Sequence, residues 1–278
     1  MALRPLILIK NTKVTIVLRA RYDKPKKSSS GLDFYSRAWN KKISCTFVKN
    51  FVIKNLEMRH IIQNINKLRS DVSSNVKIVA VSKTKTVPEI RAAYEAGITR
   101  FGESKVQELR AKQDLFPEAQ WHLVGHLQTN KVKYIAPFVA MIHSADSLRL
   151  LEEIDRQAEK CSRVIDCLLQ IHIAREDTKY GFSEGEALEL LDSGALQNLT
   201  HVRLCGLMGM ATFTDDTDLV RSEFRQLANF FDRLRTEYFS DEPAFCELSM
   251  GMSDDYRIAV EEGSTMVRIG SLIFESQQ

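Results

Sequence analysis

Lys83, Arg268, Gly270 and the serines at 249, 253 and 271 could act together on one small ligand. Lys83 closes the apolar run Lys77-Ile78-Val79-Ala80-Val81-Ser82. A lysine partly withdrawn from water holds its proton less tightly and can attack an aldehyde to form an imine. Arg268 is a charge inside the apolar segment 266–273. A buried guanidinium is costly unless matched, so its partner is either an acid on a neighbouring strand or an acceptor atom on a ligand. Ser253, followed by Asp254 and Asp255, has the pattern of a helix N-cap. Beside a glycine turn it also fits a phosphate cup, which Gly270 and Ser271 would complete with main-chain donors. Amine, cup and arginine together fit a phosphorylated aldehyde such as pyridoxal 5′-phosphate. Each also has a plainer role: a solvated lysine, a helix cap, an ion pair.

These residues meet only if the chain carries their strands to one end of a sheet. Apolar runs recur at 77–82, 99–102, 121–125, 140–144, 166–173, 202–210, 245–251 and 266–270. Between them lie helical patterns at 87–96, 104–113, 128–134, 147–160, 184–194, 217–238 and 254–262, with an opening helix at about 55–69. Runs this apolar are buried on both faces, as in a parallel sheet. Eight strands interleaved with helices predict a single α/β domain, a (β/α)8 TIM barrel with an extra N-terminal helix. A doubly wound open sheet is the alternative. The C-terminal ends of barrel strands hold the chemistry. Here they deliver Ser82-Lys83-Thr84-Lys85, Gly102-Glu103-Ser104, Gly125-His126 and Arg268-Ile269-Gly270-Ser271. His122 and His126 are lesser candidates, most simply satisfied by their neighbours. Trp121 and the methionines at 208, 210, 250 and 252 read as core or pocket lining.

Charge divides the chain. Residues 1–57 carry 13 Lys/Arg against 3 Asp/Glu, a net of +10, so the rest of this +3 chain carries −7. An acidic body argues against a nucleic-acid surface. We expect residues 1–54 to be a basic, poorly ordered extension and 55–278 to be the working domain, with Met58 near its start. The short, lysine-interrupted apolar stretches near the N-terminus fit a secretory signal poorly. Five cysteines without CxxC spacing read as reduced thiols of a cytoplasmic protein with no metal site. No apolar stretch approaches the roughly 20 residues of a membrane span.

In order and spacing, the segments AVSKTK (80–85), FGESKVQE (101–108), WHLVGHLQTNK (121–131), TKYGF (178–182), GLMGMA (206–211), LSMGMSDD (248–255) and GSTMVRIGSLIF (263–274) resemble the pyridoxal phosphate homeostasis protein family. Its members look like the barrel domain of alanine racemase without the second domain. The resemblance implies pyridoxal 5′-phosphate as cofactor, Lys83 as its Schiff-base lysine and Arg268 beside the pyridine nitrogen. It also implies Ser249, Ser253, Gly270 and Ser271 around the phosphate and Ser104 near the ring. Lys85 and Lys179 match further lysines of the family. Ser104 stands where the family usually has asparagine, and Glu275 where it usually has glycine.

The expectation that follows is a protein that holds and delivers the cofactor inside the cell, as a monomer or weak dimer, with pyridoxal phosphate-dependent apo-enzymes as recipients. Neither a membrane nor a nucleic acid is an expected partner. The alternative is a racemase or related pyridoxal phosphate enzyme. Racemisation needs acid/base groups on both faces of the substrate carbon, and we expect no second domain after the barrel to supply one. A lysine-dependent aldolase on the same barrel is the third possibility. It would join a sugar phosphate and bind no chromophore.

Overall fold

The computed structural model describes residues 5–10, 13–18, 58–176 and 180–276. It divides into two units, 1–52 and 53–278. In the first, β1 (Pro5–Lys10) and β2 (Lys13–Leu18) pair antiparallel. The remainder of the expected extension lies outside the described residues, as does Lys179.

The second unit opens with α1 (Arg59–Asp71), which buries Ile61, Ile65 and Leu68, one stripe at helical spacing. It continues as β3 (Lys77–Val81), α2 (Val87–Glu95), β4 (Arg100–Glu103), α3 (Val106–Gln113), β5 (Gln120–Leu123), a 3-10 turn at Thr129–Tyr134 and β6 (Met141–Ala145). Then come α4 (Leu148–Lys160), β7 (Ile165–Gln170), α5 (Glu184–Asp192), β8 (Val202–Met208), α6 (Thr217–Glu237), β9 (Glu247–Ser249), α7 (Tyr256–Glu261), β10 (Met266–Ile269) and α8 (Ser271–Phe274). The eight strands β3 to β10 are all parallel and close into a barrel, β10 pairing with β3 through Arg268↔Val79 and Ile269↔Ala80. This is the (β/α)8 barrel that the alternation of runs predicts, not the open sheet.

Alternation along each strand separates two cores. Val79, Met141, Leu168, Cys205, Met208 and Met266 fill the barrel interior. Ala80, Phe101, Trp121, Ile142 and Val267, on the alternate positions, pack in the larger core outside it. By the same alternation His122, His143, Ser249 and Arg268 face inward. All four are almost fully buried.

Local signals set several helix starts. Thr86 and Glu89 form a capping box for α2, with Pro88 in its first turn, and Ser183 and Glu186 form another for α5. Asp216 caps α6 by accepting from Asp218 and Leu219 N–H. The segment expected to be helical at 128–134 is a 3-10 helix over Thr129–Tyr134 instead. Among the described residues no helix is long and apolar enough to cross a membrane.

Candidate functional site

At the C-terminal mouth of the barrel lies a cavity of about 550 Å³, within the range of small-ligand sites. Lys83, Ser104, Ser253, Arg268, Gly270 and Ser271 all line it, with Lys85 and Glu275. Six of the seven residues singled out from the sequence therefore meet in one place. The seventh, Ser249, does not line it and is fully buried. Its hydroxyl accepts from Arg268 at 2.7 Å and lies 3.1 Å from His143 Nδ1. The inward face of β9 aims Ser249 at the barrel axis, so it reaches the cavity only through Arg268.

Lys83 is exposed, whereas the sequence reading has it partly withdrawn from water. The strand ends at Val81, and Thr84, with φ of 63°, turns the chain so that Lys83 stands open to the cavity. A positive φ is a strained choice for a β-branched residue. Lys85 faces Glu275 at 3.9 Å, a loose pair at the cavity edge.

Ser253 is not the cap of α7. Asp255 takes that position, and its carboxylate accepts the Met252 N–H at 2.5 Å. Ser253 Oγ instead accepts from Gly270 N at 3.3 Å and from Leu272 N at 3.5 Å. Both bonds are long, and neither the Ser253 hydroxyl proton nor the Ser271 N–H has an acceptor among the described residues. Hydroxyl and main-chain donors thus converge with spare capacity, as an anion's oxygens require.

Arg268 is 4% exposed and forms no ion pair among the described residues, so the expected acid on a neighbouring strand is not its partner. It donates to Ser249 O at 2.8 Å, Ser249 Oγ at 2.7 Å and Gly209 O at 2.9 Å. These bonds engage three of the five N–H groups a guanidinium offers. Burial pulls its pKa down to about 10, with Asp255 acting the other way.

Behind Arg268 stand two histidines that sequence reasoning did not link. His122 Nδ1 lies 2.9 Å from His143 Nε2. Arginine can only donate, so Ser249 Oγ accepts from it. The arrangement consistent with these contacts then has Ser249 donating to His143 Nδ1 and His143 Nε2–H donating to His122 Nδ1. Burial holds both imidazoles neutral: His122 is lowered to about 3 and His143 falls well below the usual histidine value. The signal was present in the inward parity of 122 and 143 on neighbouring strands. At the mouth, His126 Nδ1 meets Asp146 Oδ2 at 3.0 Å, and its ring stacks on Tyr180 at 4.2 Å.

The family description "Alanine racemase, N-terminal domain" matches residues 56–278. The pyridoxal phosphate homeostasis protein of Aquifex aeolicus is 40% identical over 200 residues, 71% of this chain and 86% of that protein. The chain belongs to the pyridoxal phosphate homeostasis protein family. Its relative of that description in Escherichia coli is 35% identical over 234 residues, 78% of this chain and 97% of that protein. Among solved structures, PipY of Synechococcus elongatus PCC7942 with PLP bound superposes with a TM-score of 0.70 at 34% identity, covering 77% of this chain and 99% of PipY. An alanine racemase of Clostridium difficile 630 superposes at 0.62 with 12% identity, covering 79% of this chain and 56% of the racemase, which shows a shared barrel only.

Proposed function

We propose that this chain binds pyridoxal 5′-phosphate and serves intracellular pyridoxal phosphate homeostasis, holding the cofactor on Lys83 for delivery to apo-enzymes. The observation that carries this is the single cavity joining an open amine to a donor-rich anion cup and a buried arginine. When bound, the cofactor supplies an aldehyde and a conjugated ring. Lys83 would hold the cofactor by its aldehyde carbon, with the amine as the nucleophile. Ser253 would supply its hydroxyl, and Gly270 and Ser271 their N–H groups, to the phosphate. Arg268 presents only donors to whatever faces it, so it favours an unprotonated ring nitrogen, the weaker electron sink.

One finding favours a holder over a racemase: relatives at 34–40% identity carry the homeostasis description and match this chain over 85–97% of their own length. Arg268, as a donor, argues only against cofactor chemistry that needs a protonated ring nitrogen. A cytoplasmic protein fits the four described cysteines, which are all free thiols.

The test is an absorbance spectrum with borohydride trapping and peptide mass mapping. We expect a visible band that Lys83→Ala abolishes and a label on the Lys83 peptide. Colourless protein that takes up no added cofactor, or a label elsewhere, overturns the reading. Robust racemisation of L- or D-alanine would move it to the enzyme alternative.

A further inference from the structure

A buried charged cluster lies directly behind the Lys83 turn, outside the barrel wall. By strand alternation Phe101 and Glu103 face outward while Gly102 faces the interior. Glu103 is fully buried, and burial raises its carboxyl above the usual range, against the opposing pull of Lys112 and Ser82. Lys112, in the last turn of α3, is 9% exposed. Its ammonium places all three of its protons: on Ser82 O at 2.7 Å, Glu103 Oε1 at 2.7 Å and Glu108 Oε2 at 3.2 Å. Ser82 Oγ donates to the same Glu103 oxygen at 2.5 Å. Glu108 Oε2 accepts the Thr84 N–H at 3.0 Å, and this bond is the main cause of its lowered pKa. The cluster therefore grips the residue before Lys83 and the residue after it.

Two features separate this cluster from an ordinary ion pair. Glu103 Oε2 is buried and has no partner, the one such side-chain atom among the described residues. Thr84 is held at a positive φ that a β-branched residue does not adopt unaided. Both are costs, and both lie at the turn that aims Lys83. Strain of this kind persists only where the surroundings over-determine it. Here the surroundings are Lys112 and Glu108.

We propose that Lys112, Glu103 and Glu108 are positioning residues for Lys83, fixing the Ser82–Thr84 turn so that its amine stands ready for an aldehyde seated in the cavity. The inference rests on the cofactor reading above. It assigns to the cluster a part in the capture rate rather than in the affinity for the phosphate. A misplacement of about 1 Å can cost on the order of 100-fold in rate.

The test uses the full-length protein and two ligands. Pyridoxal 5′-phosphate reports covalent capture by stopped-flow absorbance, and 4′-deoxypyridoxine 5′-phosphate, which lacks the aldehyde, reports binding alone. Glu108→Leu removes the acceptor for Thr84 N–H, and Glu108→Gln keeps an oxygen there. We expect Glu108→Leu to slow capture about 10- to 100-fold with analogue affinity within about twofold, and Glu108→Gln to restore most of the rate. Amide exchange at Thr84 should rise in Glu108→Leu and return in Glu108→Gln. Equal capture rates in the wild type and Glu108→Leu overturn the inference. So does a fall in analogue affinity that matches the fall in rate, since that marks a general loss of the cavity. Wild-type protein that binds the analogue but captures no aldehyde sinks the Schiff-base reading instead, a distinct result.

Discussion

Acid should destabilise this barrel through its interior histidines. His122 folds with its pKa at about 3, against 6.5 for the free side chain, because burial penalises the imidazolium. A base depressed on folding binds its proton in the unfolded chain first. Its contribution is intact above about pH 6.5 and is lost as pH falls from there toward 3. Each pH unit inside that window costs about 1.4 kcal/mol. From pH 7 to pH 5, His122 alone removes about 2 kcal/mol, and His143, lowered by the same cause, adds loss of the same sign. Against a total stability of about 5–15 kcal/mol that is a large share. Glu103 and Asp255, both raised by burial, act in the opposite sense and gain as the pH falls. Urea titrations at pH 7, 6 and 5, on wild type and His122→Gln, isolate the histidine because the carboxylates are common to both. Glutamine keeps an amide oxygen for the His143 proton and does not titrate. Wild type should lose about 2 kcal/mol more than the variant between pH 7 and 5. Parallel pH slopes in the two proteins would refute the reasoning.

Three further outcomes follow from contacts at the site and in the wall. Ser249→Ala should cost about 2–4 kcal/mol, a charge-assisted bond plus a stranded His143 acceptor. Adding His143→Leu should recover part of that, so urea unfolding of the cycle gives a coupling of about 1 kcal/mol or more, and strict additivity would break the proposed chain. Gly206→Ala should cost at least about 3 kcal/mol by thermal unfolding. Gly206 has φ of +146°, and a Cβ there would lie 1.8 Å from Glu247 O. A wild-type melting temperature would contradict that. Ser253→Ala should weaken competition by inorganic phosphate against the bound cofactor about 3- to 10-fold, one hydrogen bond's worth, measured by displacement of absorbance. An unchanged inhibition constant would remove Ser253 from the cup.

Strand order and the polar strand ends were legible in the sequence because burial on both faces writes a parallel strand as a continuous apolar run. The run 77–82 became β3, 202–210 became β8, and 266–270 became β10, each within a few residues. The polar residue that follows such a run must lie at the mouth, which is why Lys83, Ser104 and Ser271 could be gathered in advance, and Arg268 stood out as a charge inside an apolar run. The sequence also carried the family's motifs, and with them the cofactor expectation. What it could not carry was depth and partner. Ser249 has the same type and neighbourhood as Ser253, yet one is buried under Arg268 and the other lines the cavity. Only the inward parity of β9 separates them. The Ser253 cap failed because the helix starts later, at Tyr256, and the Ser253 hydroxyl accepts from Gly270 and Leu272 instead. The short α8 after Gly270 left no periodic trace in four residues. The pairing of His122 with His143, and of Lys112 with Ser82 and Glu103, depends on β5 lying beside β6 and on helix α3 packing against β4 and β5. The His122–His143 and Lys112–Ser82 contacts join residues 21 and 30 positions apart, and no local pattern encodes which distant side chain will fill a buried hydrogen bond.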